Sequence, residues 1–308
     1  MISCGGKGKK AAETPRTVRD FPVMKAPEMV TEASERLDYA AEHFWDGYLD
    51  TTTLYLCDST HFAGLTSRSL EEQVGMYTTV LGMVPIEKAR QYMSSLYDKM
   101  AAYERCDANS NVFDTLSVML VEYLYNPNSP VRNEDIYQPF AEKLSTSEFV
   151  PEVMRGKYAR DSKLSQLNAV GTKASDFTFY DANGRKHTLY EVNTPYTFLF
   201  FTNPGCPNCA QIISTLEDDE KVNDLMKGDI MQVVNVYIDE DVAAWREHVK
   251  DYPVSWLTGY DKDSAIRNEL LYNVRAIPSI YILDKDKKVI LKDAPFENVM
   301  EWLGDLEI

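Results

Sequence analysis

The chain has 308 residues, more than the usual single domain, so two domains are the default expectation. With 48 acidic against 32 basic residues the formal net charge is −16, and no basic stripe interrupts it, which excludes a nucleic-acid partner. Hydrophobic residues make up 44%, enough for two cores and too many for a disordered whole, yet no run approaches the ~20 apolar residues of a membrane-spanning helix.

The first ten residues read MISCGGKGKK. Ile2-Ser3-Cys4-Gly5 resembles the end of a bacterial lipoprotein signal, in which the cysteine after a small residue is lipidated and becomes the mature N-terminus. The apolar segment of that pattern is missing here, and a frayed, solvated terminus is the competing reading. Residues 5–26 mix Gly, Lys, Pro and Thr without periodicity and read as a flexible tether.

Helical patterning follows. Pro27 to Tyr48 places Leu37, Ala40, Ala41, Phe44, Trp45 and Tyr48 at helical spacing, with Pro27 suited to a first turn. Ser69 to Met83, Pro85 to Cys106 and Ser110 to Tyr125 repeat the theme, and Asn126, Pro127, Asn128 and Pro130 stop it. Weaker helices are expected over Asn133 to Leu144 and Glu152 to Leu167. Residues 27–167 therefore read as an all-helical domain without a catalytic constellation, its Met and Tyr stripes being core.

From residue 168 the pattern changes to an α/β domain. The stretch around Asn183-Gly184 alternates apolar and polar residues and reads as a hairpin. Tyr196 to Thr202 is a continuous apolar run, as in a strand buried on both faces. Further on, AQIISTLEDDEKVNDLM is helical, IMQVVNVYI a strand, DEDVAAWREHVKDY and DSAIRNELLYNV helices, SIYILD and KKVIL strands, and FENVMEWLGDL a closing helix. Strands alternating with helices imply a sheet with crossover connections.

Between the first buried strand and its helix lies Cys206-Pro207-Asn208-Cys209, in a chain of five cysteines. A disulfide staple, half of a metal site and a reactive dithiol all use such a pair. Zinc needs four ligands. Cys57 and Cys106 are isolated in helical-looking sequence, and none of His43, His61, His187 and His248 pairs with another at ligand spacing, so no metal is expected. No pattern calls for another cofactor.

The junction favours the dithiol. A sulfur at a helix N-terminus faces unpaired backbone N–H groups and the positive dipole end, which stabilise thiolate. Cys206 is therefore expected to ionise below the ~8.5 of a free cysteine, and the thiolate is the species that attacks disulfides. Cys209, one turn in, is shielded from partners but placed to resolve a mixed disulfide. Pro207 loses no needed hydrogen bond there.

Residues Gly171 to Ile308 resemble the thioredoxin-like domain of the bacterial TlpA-like group. The dithiol motif, the 69 positions from Cys209 to Pro278, and the phrases NVRAIPSIYILD and YPVSWLTGYD carry the likeness. The resemblance implies Cys206 as nucleophile, Cys209 as resolving cysteine and Pro278 as a cis proline facing them. Ile277, Pro207 and Asn208 would contact the client peptide, which pairs with the backbone edge before Pro278. Two departures stand out: Gly205 replaces the tryptophan usual before the first cysteine, and Phe200 occupies the place of a buried aspartate or asparagine. The preceding helical part resembles an uncharacterised domain of Gram-negative lipoproteins.

The function expected is thiol-disulfide exchange on client proteins, as an extracytoplasmic reductant fed by an unidentified electron donor, with membrane contact only through a lipid on Cys4. A cytoplasmic reductase is the alternative location. Two rival functions share the fold. A peroxiredoxin-like peroxidase needs a threonine three positions before its reactive cysteine, where Asn203 stands, Thr202 lying one step too far. A non-enzymatic binding module would use the thioredoxin fold as scaffold.

Overall fold

The computed structural model describes residues 16–306. The chain divides into two compact units: one comprises the chain up to Val131 with Ile136–Arg160, the other Arg132–Asp135 with the chain from Asp161 onward. Residues 132–135 thus belong to the second unit, although they lie within the stretch read above as helical domain.

The first unit is built on helices α1 (Ala33–His43), α2 (Ser67–Met83), α3 (Ile86–Cys106), α4 (Val112–Tyr125), α5 (Glu134–Leu144) and α6 (Glu152–Ser165), the last two crossing the unit boundary. α1 is shorter than its periodicity suggests. Pro27 opens a turn closed by Val30 N–H to its carbonyl at 3.0 Å, and the helix starts six residues later. Phe44, Trp45 and Tyr48 leave the helix but still enter the core, where Trp45 meets Tyr77 edge-on at 5.6 Å.

Three expectations for this unit are corrected. It is mostly rather than wholly helical, because β1 (His61–Phe62) and β2 (Leu65–Thr66) form a small antiparallel hairpin. Ala63 and Gly64 turn it with φ of 44° and 85°, and a Cβ on Gly64 would lie 2.9 Å from Arg19 Cγ. The expected tether is likewise anchored from Arg16 onward. Arg16 pairs with buried Asp107 at 2.6 Å, Arg19 N–H bonds the Gly64 carbonyl at 3.1 Å, and Phe21 stacks on Tyr48. Cys57 lies in the loop before β1 as a free thiol, not in a helix. Cys106 closes α3.

The second unit is a seven-stranded sheet in the order β4-β3-β7-β6-β5-β8-β9. Its strands are β3 (Thr178–Tyr180), β4 (Lys186–Thr188), β5 (Tyr196–Thr202), β6 (Met231–Tyr237), β7 (Leu257–Tyr260), β8 (Ser279–Leu283) and β9 (Val289–Leu291). The β3–β4 hairpin turns at Gly184, φ 78°, as its Asn-Gly sequence predicts. β5 sits centrally, parallel to β6 and antiparallel to β8. Its continuous apolar run follows from burial on both faces: Leu199 and Phe201 enter one core, Phe198 and Phe200 the other.

The second of these cores is covered by α7 (Pro207–Asp218), α8 (Glu220–Lys227) and α11 (Phe296–Asp305). Periodicity alone reads α7 and α8 as one helix. Asp219 divides them: its backbone is extended, and its carboxylate caps α8 by accepting from Val222 N–H at 2.9 Å. α9 (Val242–His248) buries Trp245 against Tyr260. α10 (Ala265–Asn268) is a single turn instead of the helix expected over residues 263–274, because Leu270 takes φ 53° and ends it.

Candidate active site

β5 ends at Thr202, and the turn Asn203-Pro204-Gly205 reverses the chain into α7, with Gly205 at φ 77°. Asn203 Nδ2 donates to Asp239 Oδ2, and Asp239 Oδ1 accepts from Arg267 Nη2 at 2.5 Å, so the turn is tied to the residues after β6. Cys206 is the N-cap of α7. Its Sγ accepts the backbone N–H of Cys209 at 3.2 Å, taking the place usually held by a serine or aspartate oxygen. Pro207 occupies the first helical position, where no N–H is missed, and is exposed together with Asn208.

The two sulfurs meet different surroundings. Cys206 is partly accessible, whereas Cys209 is 2% exposed. Burial, and then the hydrogen bond to Cys206, pushes the Cys209 thiol up to about 12. An outside partner can therefore reach one sulfur, while the other stays a thiol beneath it. A cavity of about 290 Å³ opens beside them, lined by Pro204, Cys206, Cys209, Ile213, His248 and Tyr252 among others.

Beneath the dithiol lies a polar set that sequence reading missed. Thr202 Oγ1, fully buried, donates to Asn235 Oδ1 at 2.6 Å and lies 3.3 Å from Tyr252 Oη. Burial raises the Tyr252 phenol above its ordinary value, the Thr202 contact opposes this, and charge on Cys209 adds to the rise. Phe200 is fully buried in the apolar core, as its place on β5 requires. The hydroxyl of Tyr252 is thus one polar group of the cavity beside Cys209, and it comes from the end of the 3₁₀ turn after α9 rather than from β5.

The Ile277–Pro278 bond is cis. The β5–β8 register, with Phe201 opposite Ser279, brings Pro278 to the end of β5 where the dithiol segment begins. The Ile277–Pro278 segment therefore enters β8 beside the end of β5 from which the turn to Cys206 departs. Cys4 lies outside the described residues. Among the described residues no group of three or more His, Cys, Asp or Glu side chains is placed to hold a metal ion. His248, unremarkable in sequence, lines the cavity and pairs through Nδ1 with Asp251 at 3.1 Å.

Comparison with known proteins divides the chain at nearly the same place. Residues 3–168 match a domain of unknown function, DUF5106, and residues 170–292 match the AhpC/TSA family. The thiol-disulfide oxidoreductase ResA of one Bacillus cereus strain is 25% identical over 123 residues, which is 40% of this chain and 68% of that protein. ResA of a second Bacillus cereus strain is 24% identical over 136 residues, 44% and 73% of the two chains. The crystal structure of a thioredoxin-like protein from Bacteroides caccae superposes with a TM-score of 0.80 at 30% identity, covering 94% of this chain and all of that one.

Proposed function

We propose, for a chain that belongs to the thioredoxin-like proteins with an N-terminal DUF5106 domain, that it reduces disulfides of client proteins through Cys206 and Cys209. The family is thiol-disulfide oxidoreductase-like. The single observation that carries the finer reading is the asymmetry of the pair: an accessible sulfur capping α7 and a buried thiol one turn behind it.

In this reading the Cys206 thiolate attacks one sulfur of a client disulfide, forming a mixed disulfide and releasing the client's other sulfur as thiolate. Cys209 then gives its proton to the released client thiolate and attacks Cys206 Sγ, which frees the second client sulfur as thiolate and leaves a Cys206–Cys209 disulfide. Two electrons have passed to the client. A thiol donor restores the pair by the reverse exchange. Ile277, Pro207 and Asn208 offer the surface on which an extended client peptide lies beside Pro278.

A peroxide substrate is less well served. Thr202 Oγ1 is buried in its bond to Asn235, and Asn203 carries a carboxamide, engaged with Asp239, in place of a hydroxyl, so neither offers Cys206 the hydroxyl that orients a peroxide. The proposed location is the cell envelope, with a lipid on Cys4 as tether. Its support is the likeness of Ile2-Ser3-Cys4-Gly5 to a lipoprotein signal. Among the described residues no helix is long and apolar enough to cross a membrane.

Insulin reduction with dithiothreitol as donor tests the activity: the wild type accelerates precipitation of the freed B chain and Cys206→Ser does not. Equal rates for the two would return the binding-module reading. Fractionation of the native host with mass spectrometry of the N-terminal peptide tests the tether, and a soluble, unlipidated protein would refute it.

A further inference from the structure

The segment carrying Pro278 has no ladder partner of its own, since residues 271–278 are irregular and β8 begins only at Ser279. Side chains hold it instead, and they converge on two buried carboxylates. Asp293, 4% exposed, accepts from Arg275 Nη2 at 2.8 Å through Oδ2 and from Ser279 Oγ at 2.8 Å through Oδ1. One carboxylate thus grips the chain on both sides of Ile277-Pro278. Glu134, 2% exposed, accepts from Asn273 Nδ2 at 2.8 Å, contacts Arg275 Nε through the same oxygen, and faces Lys292 Nζ at 3.1 Å through the other.

The support behind these groups is itself fixed. Lys292 Nζ donates to the Ser165 carbonyl at 2.6 Å, and Arg132 donates to the carbonyls of Asp293 and Ala294 at 3.0 Å each. Arg132 and Glu134 belong to the short stretch that joins the second compact unit from far upstream in the chain. Charges this buried are retained only when paired, and such pairing is directional, unlike apolar packing.

We propose that Asp293 and Glu134 form a carboxylate clamp that sets the position of residues 275–279, and with them the client-binding edge at Ile277-Pro278, against Cys206. They are positioning residues: neither touches the reacting sulfurs, and their effect reaches a client only through the segment they grip. The proposal rests on the reading of Cys206 and Cys209 as a dithiol that meets protein disulfides. A small disulfide that needs no peptide-binding edge reports on the dithiol alone.

The test compares full-length wild type, Asp293→Asn and Ser279→Ala on insulin and on the small aromatic disulfide 5,5′-dithiobis(2-nitrobenzoate). Asp293→Asn keeps shape but weakens the grip on Arg275, and the KM for insulin should rise about 10-fold to 100-fold, the range for displacement of a positioning group by roughly 1 Å. Its rate on the small disulfide and the rate of Cys206 alkylation should stay within about twofold of wild type, a split that a general loss of fold would not give. Ser279→Ala releases one end only and should show the same split with a smaller rise in KM; if Asp293→Asn does not fold, this variant decides alone. Unchanged KM for insulin in the folded variants, or equal losses on both substrates, would overturn the clamp with the dithiol reading intact. Wild type inactive on both disulfides would overturn that reading and the clamp with it.

Discussion

In the helical unit the largest buried side chains are Trp45, Tyr48, Tyr77, Tyr103 and Tyr137, and Phe21, Phe44 and Trp45 pack ring against ring. The thioredoxin unit buries polar groups in ordered sets around its dithiol: Thr202, Asn235 and Tyr252 below it, Glu134, Arg275 and Asp293 behind the Pro278 segment. Aromatic packing is tolerant of direction, whereas buried hydrogen bonds cost free energy unless their geometry is met. The contrast teaches that one unit is specified by volume and the other, near Cys206, by orientation. Substitutions in the first should change stability and spare the chemistry; substitutions in the second should change the chemistry as well.

The largest effect expected is that of Cys206→Ser, which should lower insulin reduction by about a thousandfold or more, as removal of a nucleophile does, while leaving the thermal midpoint nearly unchanged. A variant retaining a tenth of the activity would break the contrast at its chemical end. Trp45→Ala tests the other end. It should destabilise the helical unit by about 3–5 kcal/mol in denaturant titration, because a fully buried ring leaves a cavity, with Cys206 alkylation unaltered.

How far these contrasts can be read from the residues alone differs by element. β5 and β6 announce themselves as continuous apolar runs, and the dithiol at the β5–α7 junction follows from local sequence. β7 carries no such local signal, since Leu257 to Tyr260 is short and contains a glycine. The reason for Gly259 is non-local: a Cβ there would lie 2.6 Å from Phe179 Cδ2 and 2.8 Å from the Tyr180 carbonyl, on a strand far back in the chain. The same applies to the site. Cys206, Cys209 and Pro278 are evident from spacing and resemblance, but Tyr252 and Glu134 act across separations of 50 and 139 positions from Thr202 and Asn273, and no local pattern marks them.

Two smaller effects sharpen the comparison. In Cys206→Ser the remaining Cys209 keeps its burial, the chief cause of its raised pKa, so it stays a thiol at neutral pH. Its alkylation should be slow at pH 8 and climb by about tenfold per pH unit into the strongly alkaline range, because only thiolate reacts. A plateau near pH ~9 would mean that Cys209 titrates like an ordinary, unshielded thiol. Tyr252→Phe removes the hydroxyl that meets Thr202 and should cost about 1 kcal/mol in stability, the worth of one hydrogen bond. It should also slow oxidation of the dithiol by a protein disulfide a few-fold if the phenol assists Cys209, and rapid-quench measurement of disulfide formation would show no change if it does not.

The division of labour between the two sulfurs is tested most directly by trapping. Cys209→Ser incubated with a disulfide-bonded client should accumulate a covalent adduct, seen by intact mass under non-reducing conditions and mapped to Cys206 by peptide digestion, because the mixed disulfide forms and nothing resolves it. The half-buried free thiol Cys57 serves as internal control and should stay unmodified. An adduct on Cys57, or no adduct at Cys206 while the wild type turns over, would contradict the assignment of nucleophile and resolving cysteine.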